Sequence, residues 1–299
     1  MTKRQRTVGL LLLCITVAAS VGSFFAMLHG NGLLWRILSA TDMPCAAPQA
    51  FSSFHLTFLG ICIVASIWLG VLGKRLGSDV TDCAVFGAGL LLLIMEVYKQ
   101  LYYYFILHGA RYDFSVLPFQ FCSLPLYLYL LTPLLPKGSA KDVLYRFLGF
   151  YATMGGCLVM AYPSFYQRVS LNWHTMIWHT VMIAVGVWIL FSRGYGVSWR
   201  REMPAPTLLF VSFVAFATGL NILLYPISQT SPAPLNLLYM SPYHQNRNFW
   251  IIRRVWAGWG WEAALLTYVL LFIFVGATLV FTVTFLFQRA SMCLKKEKN

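Results

Sequence analysis

A handful of side chains in this sequence combine reactive chemistry with an unfavourable setting. Glu96 and Lys99 lie three apart within the apolar run 80–107, so on a helix they emerge on nearly one face and can pair. Gln100 continues that face one turn from Glu96, and Tyr103 lies one turn from Lys99. Gln120 and Cys122 belong to Leu117-Pro118-Phe119-Gln120-Phe121-Cys122-Ser123-Leu124-Pro125-Leu126, His174 and His179 to a later run, and Asn221 to the run after that. A thiol beside an imidazole in a partly dry pocket is a nucleophile in waiting, because the ring takes the proton and the thiolate is the reactive form. The plainer readings are a packed thiol, a satisfied packing histidine, and an ion pair that holds helices together.

The elements that must position these groups follow from composition. Of 299 residues, 59% are hydrophobic and 10% charged, against about 25% charged in a soluble domain, which excludes soluble, disordered and disulfide-scaffold classes. A spanning helix needs about 20 apolar residues. Eight runs qualify, at 8–28, 54–72, 80–107, 116–134, 143–162, 173–191, 206–225 and 263–287. The fold class is therefore all-α, a polytopic transmembrane helical bundle of about eight spans.

The net charge of +13 raises nucleic acid as a partner, but the basic residues fall in short clusters between apolar runs, a membrane-topology pattern. With alternating loops, Lys3, Arg4, Arg6, Lys74, Arg75, Lys137, Lys141, Arg146, Arg193, Arg200, Arg201, Arg289, Lys295, Lys296 and Lys298 share one side. Arg36, Arg111, Arg168, Arg247, Arg253 and Arg254 share the other. The asymmetry places both termini in the cytoplasm. The first run also resembles a secretory signal, with Lys3, Arg4 and Arg6 before it, but its apolar character continues through Phe24 and Phe25, which favours a retained helix. Residues 226–262 form the one long connection, on the outer side, and its Trp250, Trp256, Trp259 and Trp261 with Arg253 and Arg254 suit the headgroup layer.

A rise of 1.5 Å per residue puts Cys122 roughly 9 Å, His179 roughly 10 Å, Lys99 roughly 12 Å, Glu96 roughly 16 Å and Asn221 roughly 8 Å below the outer ends of their helices. Four helices thus offer polar groups at one level, and exposure to lipid is unfavourable enough to turn them inward. His174 and His179, about 140° apart around a helix, do not make a one-face zinc pair. No nucleotide, flavin, haem or metal motif appears, so no cofactor is expected. The Gly155-Gly156 pair suits close helix packing.

The stretch from Leu117 to Leu126, read with Glu96 and Lys99 before it and His179 after it, resembles the YwaF-type family of integral membrane proteins, whose corresponding segment is Leu-Pro-Leu-His-Leu-Cys-like. Cys122 matches the motif cysteine and His179 the later histidine, while Gln120 stands where many members have His. The resemblance covers residues 54–288, leaving 1–53 as an additional helix and outer loop and 289–299 as a basic tail. It implies a multi-pass protein of a bacterial plasma membrane. A eukaryotic branch resembles a cysteine acyltransferase acting on phospholipids, which implies Cys122 as nucleophile, His179 as base, and Glu96, Lys99, Gln120 and Asn221 as organisers of the pocket. Membrane lipid is then both environment and candidate substrate. Two further readings stand beside it: a proton-coupled or small-molecule permease using Glu96, Lys99 and His179, and an assembly protein whose polar residues only lock helices.

Overall fold

The computed structural model describes residues 1–245 and 249–296, with side chains through Arg289. Arg247 and Lys298, and the side chains of Cys293, Lys295 and Lys296, lie outside the described residues. The helices in chain order are α1 (Lys3–Leu28), α2 (Gly32–Ala40), α3 (Ser53–Leu76), α4 (Ser78–Leu101), α5 (Leu124–Leu131), α6 (Ser139–Phe147), α7 (Thr153–Ala161), α8 (Val169–Ser192), α9 (Trp199–Glu202), α10 (Pro204–Leu223), α11 (Tyr225–Ser228), α12 (Trp250–Leu270) and α13 (Thr278–Lys296). No strand occurs among them, and the fold is an all-α polytopic bundle.

Local chemistry sets the helix starts. Thr2 and Gln5 close a capping box on α1, and Asn31 and Ser52 cap α2 and α3 through their side-chain oxygens. Prolines open α5 and α10 in the first turn, where a missing N–H is harmless. Between α3 and α4 the chain reverses on Gly77 alone, at φ 68°.

Seven helices among the described residues are long and apolar enough to cross a membrane: Lys3–Leu28, Ser53–Leu76, Ser78–Leu107, Ser139–Ala161, Val169–Ser192, Pro204–Leu223 and Trp250–Arg289. The fourth run is the exception to the sequence expectation. Residues 116–134 do not form one helix, because Phe114–Val116 is a 3-10 turn, Leu117 is extended, and helix returns only through Phe121–Ser123 into α5. Pro118 explains the break, since it removes an N–H and holds Leu117 out of the helical region, whereas Pro125 sits in the first turn of α5 behind a helical Leu124. The apolar helix that remains, Phe121–Leu134, is about 21 Å long, too short to cross alone.

A second correction concerns the long outer connection. It ends at Trp250, where helix begins, and a kink at Gly260, with φ 87°, divides an aromatic arm from the span proper. Forty residues of continuous helix would be about 60 Å, twice the hydrocarbon thickness, so the turn at Gly260 is what lets the segment fit a bilayer. Trp250 and Trp259 on this arm are 62% and 79% exposed, and the Arg254 guanidinium lies 5.6 Å from the Trp250 ring centre.

The centre of the bundle is α8, which packs on α3, α4 and α7 and is buried along most of its length, whereas α1 is almost wholly exposed. The polar contacts sort into two rims. On one, Asp82 of α4 accepts from Lys141 Nζ at 2.7 Å, from the Met1 ammonium at 2.7 Å and from the Tyr145 hydroxyl at 2.5 Å. Arg193 approaches the same carboxylate at 3.4 Å and lies 3.7 Å over the Tyr145 ring. Asp142, with Arg146 and Tyr195, and Glu202, which accepts three backbone N–H bonds from residues 196–198, complete that rim. On the other, Asp42 accepts from Tyr102 and pairs with Arg168 at 2.7 Å, Cys45 lies beside Tyr166, and Asp113 meets His108 and Ser231. Each rim gathers loops that alternation assigns to the same side, and Phe121–Leu134 with its irregular lead-in joins the rim of Asp113 to that of Lys141.

Candidate functional site

The site grows from the irregular stretch that breaks the fourth crossing. Cys122 sits half-buried in the 3-10 turn Phe121–Ser123, two residues before α5 begins at Leu124. The first N–H groups of a helix lack intrahelical partners, so unfilled donors follow this position in the chain. The Cys122 carbonyl accepts from the Trp178 indole at 2.8 Å, which ties the turn to α8 one residue before His179. Closer packing comes from α7: a Cβ at Gly155 would run into the Phe121 ring, and one at Gly156 would come within 3.2 Å of the His179 carbonyl. The paired glycines thus admit residue 121 from one side and α8 from the other, as close packing requires.

His179 is 6% exposed. Its Nδ1 is held 2.7 Å from the Thr175 carbonyl, and Nε2 is buried without a hydrogen-bond partner. Because a carbonyl only accepts, Nδ1 carries the proton in the neutral ring and Nε2 presents a lone pair. His174 differs: its Nε2 contacts the Met95 carbonyl at 3.1 Å and its ring stacks on Trp178 with centres 5.4 Å apart. It is a packed, occupied histidine that links α8 to α4.

Glu96 and Lys99 make their pair, with Nζ 2.9 Å from Oε2 and side chains 6% and 18% exposed. The other carboxylate oxygen accepts from Gln100 at 2.7 Å, and Gln100 also donates to the Val116 carbonyl at 2.8 Å, just before the broken segment. The Lys99 ammonium lies 6.0 Å from the Trp178 ring centre and within electrostatic reach of Cys122, His174 and His179. Beyond that ion pair it has no side-chain hydrogen bond among the described residues, so its remaining N–H donors are open to an oxygen acceptor.

Gln120 and Asn221 go elsewhere. Gln120 donates to the Asn236 carbonyl at 3.1 Å and accepts from Leu238 N–H at 2.9 Å; Asn221 donates to the Leu237 carbonyl at 3.1 Å and accepts from Leu237 N–H at 2.8 Å. Two amide side chains thus act as backbone substitutes, drawing the outer connection into the bundle. Leu235, Leu237, Leu238, Met240 and Ser241 are all buried, and Trp261 donates to the Met240 carbonyl. Leu238 and Tyr239 hold φ of 52° and 57°, a left-handed pair that costs about 1–2 kcal/mol per residue and is held in place by these bonds. The organising role expected for Gln120 and Asn221 is therefore directed at this plug and not at the Glu96–Lys99 pair.

Residues that sequence reasoning passed over include Trp178 and Tyr166, a phenol linked to the Tyr103 already singled out and within electrostatic reach of Cys122. With 16 tyrosines and 10 tryptophans in the chain, residue type alone gave no signal for them. Asp82 did carry one, an acid close to a span start with no basic residue at helical spacing. Its partners come from three other segments.

A sequence model described as the TMEM164 family matches residues 50–287. Neither a curated protein nor a solved structure matches the chain.

Proposed function

The chain belongs to the TMEM164 family, and from that premise we propose that this integral, multi-pass membrane protein is a cysteine-dependent acyltransferase that moves a fatty acyl group between membrane lipids. Cys122 is the nucleophile and His179 its base; Glu96 and Lys99 organise the pocket, and Gln120 and Asn221 hold the plug above it. The observation that carries this reading is the unpartnered Nε2 of a buried His179, next in sequence to the tryptophan that hydrogen-bonds residue 122. A buried ring nitrogen without a partner is unfavourable by about 1–3 kcal/mol, and such exceptions call for a task.

The chemistry balances as follows. His179 Nε2 takes the Cys122 thiol proton, and the sulfur attacks the ester carbonyl of a lipid. The tetrahedral oxyanion forms within reach of the Lys99 ammonium, which keeps donors beyond the one aimed at Glu96, and of the N–H groups at the start of α5. Collapse breaks the ester bond, and the departing alkoxide of the lysolipid takes the proton from the imidazolium, leaving a thioester on Cys122. A second lipid hydroxyl, deprotonated by Nε2, attacks the thioester, and the thiolate leaves and recovers its proton from the imidazolium.

Two features argue against a purely structural role. The Glu96–Lys99 ion pair is made within one helix, not between two, and Cys122 is only half-buried. The positive-inside asymmetry supports cytoplasmic termini and hence a site in the outer half of the membrane, which on the resemblance is a bacterial plasma membrane. The acting unit is residues 54–288, with 1–53 an addition and 289–299 a basic tail.

The test is label transfer. Purified protein, given a phospholipid with a tagged acyl chain, should acquire label through a bond cleaved by neutral hydroxylamine and absent in Cys122→Ala. His179→Ala should slow uptake by about 10²–10⁴-fold, the range for loss of a general base. Cys62→Ala, at a buried thiol against other helices, should leave it unchanged. Wild type that gains no hydroxylamine-sensitive label from any of several phospholipids would remove the reading.

A further inference from the structure

α1 runs alongside α4 in the same direction but touches the bundle in separate places. At its start the Met1 ammonium meets Asp82, and a Cβ on Gly9 would come within 3.1 Å of the Phe86 ring. Near its end Phe24 packs on Tyr104 and Phe105 at ring-centre distances of 5.6 and 5.7 Å. Of the 26 residues in α1, only Gly9 and Met27 are buried. Between these contacts a groove of about 350 Å³ opens, lined by Ser20, Val21 and Phe25 of α1 and by Glu96, Val97 and Gln100 of α4.

The polar groups along this groove are already engaged. Ser20 Oγ donates to the Thr16 carbonyl at 2.7 Å, and Gln100 Nε2 is divided between Glu96 and the Val116 carbonyl. The walls therefore offer hydrocarbon, and water, which needs two to four polar partners, has none to spare. Ser20 lies eight residues before the end of α1, about 12 Å down the helix axis and within the hydrocarbon layer. At that depth the material surrounding the exposed face of α1 is lipid chain. The groove's volume falls in the lower part of the range for ligand sites, about 300–1,000 Å³. Glu96 is among its lining residues; its second oxygen pairs with Lys99, and Lys99 in turn is within electrostatic reach of Cys122.

We infer that the α1–α4 groove binds the acyl chain of a membrane lipid and leads it laterally from the bilayer to the Glu96–Lys99 end of the site. Binding in the groove stands on its shape and chemistry; delivery to Cys122 rests on the acyltransferase reading. One wall of the groove is α1, which precedes the residues matched by the family, so this access route belongs to the added helix. A lysolipid or free fatty acid satisfies the same walls, but the occupant assigned is the chain of an intact phospholipid.

The experiment separates groove from chemistry. Full-length protein in nanodiscs of phosphatidylcholine receives a phosphatidylcholine with a photoreactive diazirine midway along one acyl chain, and crosslinks are mapped by mass spectrometry. They should concentrate on residues 20–25 and 96–101. Val21→Trp, which fills the groove, should lower that labelling by at least about tenfold, equivalent to about 1.4 kcal/mol. Leu11→Trp, on the exposed face of α1, should not. Ser20→Phe supplies a second filled variant if Val21→Trp does not fold. Labelling spread evenly along α1 and indifferent to Val21→Trp would overturn the inference. So would efficient crosslinking of two Val21→Cys copies to each other, which would make a second chain the occupant. Groove labelling without a hydroxylamine-sensitive thioester would uphold the groove and remove the enzyme reading. A thioester that forms without groove labelling would do the reverse.

Discussion

Replacing Glu96 and Lys99 singly and together tests whether the pair holds its two charges in the bundle. The carboxylate is the deeper partner, 6% exposed, with Nζ 2.9 Å from one oxygen and Gln100 at 2.7 Å from the other. Lys99→Met strips the carboxylate of its counter-ion and leaves one neutral hydrogen bond, so it should approach the loss of about 3–5 kcal/mol seen when a buried pair is broken. Glu96→Gln keeps an oxygen for Gln100, and the ammonium, at 18% exposure on a flexible stem, can move toward the interface; about 2 kcal/mol is expected. The double variant carries neither charge, and exchange of a buried pair for neutral groups of similar volume is often close to neutral. It should be more stable than either single variant, with a coupling of at least about 2 kcal/mol. The measurement is unfolding in mild detergent titrated with SDS, run on all four proteins under one condition. Losses that add within about 0.5 kcal/mol would show that the two charges do not depend on each other, and the argument from burial would fail.

Cys45, on the rim with Asp42 and Arg168, should react with a membrane-impermeant thiol reagent in intact cells, and Cys293, beyond the described side chains, only after permeabilisation; labelling of Cys293 from outside would invert the topology. Gln120→Ala and Asn221→Ala should each free buried backbone groups of residues 236–238, at about 1–3 kcal/mol per group, and so raise limited proteolysis of the outer connection about tenfold or more. Cleavage unchanged in both variants would show that the amides do not hold the plug.

The parts of the molecule legible in its sequence are those set by one helix or by one boundary. Run length located seven crossings, because lipid demands about 20 apolar residues from each helix. The spacing of Glu96 and Lys99 foretold their pair, since three residues apart on a helix is a geometric statement needing no partner helix. The expected role of Gly155-Gly156 rested on the same kind of reasoning, and Phe121 and His179 are what those glycines admit. Features built between segments were not legible. Nothing in Asp82 alone names Lys141, 59 residues on, or Arg193, 111 residues on. Nor does Gln120 alone name Asn236, so its place in the pocket motif pointed to the wrong neighbour. The fourth crossing misled for a local reason: its apolar composition satisfies the length rule and Pro125 and Pro133 suggest a bend, but it is Pro118 that interrupts the helix, while Phe121–Leu134 runs through the other two prolines.

That break determines where the reactive group can be. Backbone that leaves the helix at membrane depth exposes N–H and C=O groups that lipid cannot satisfy, and it persists only where protein covers it. Residues 117–121 need such cover, and residues 236–241, also irregular, need it as well. Each segment supplies the other through Gln120, which accepts from Leu238 and donates to Asn236, while Gln100 serves the Val116 carbonyl from the opposite side. A regular helix through this stretch would close its own hydrogen bonds and need no such partners, but it would also bury the N–H groups of residues around Cys122 in its ladder. The irregular crossing keeps those donors at the start of α5, beside a thiol and below a plug held by side chains. The irregular backbone there and the partial exposure of Cys122 thus have one origin, the proline four residues before it.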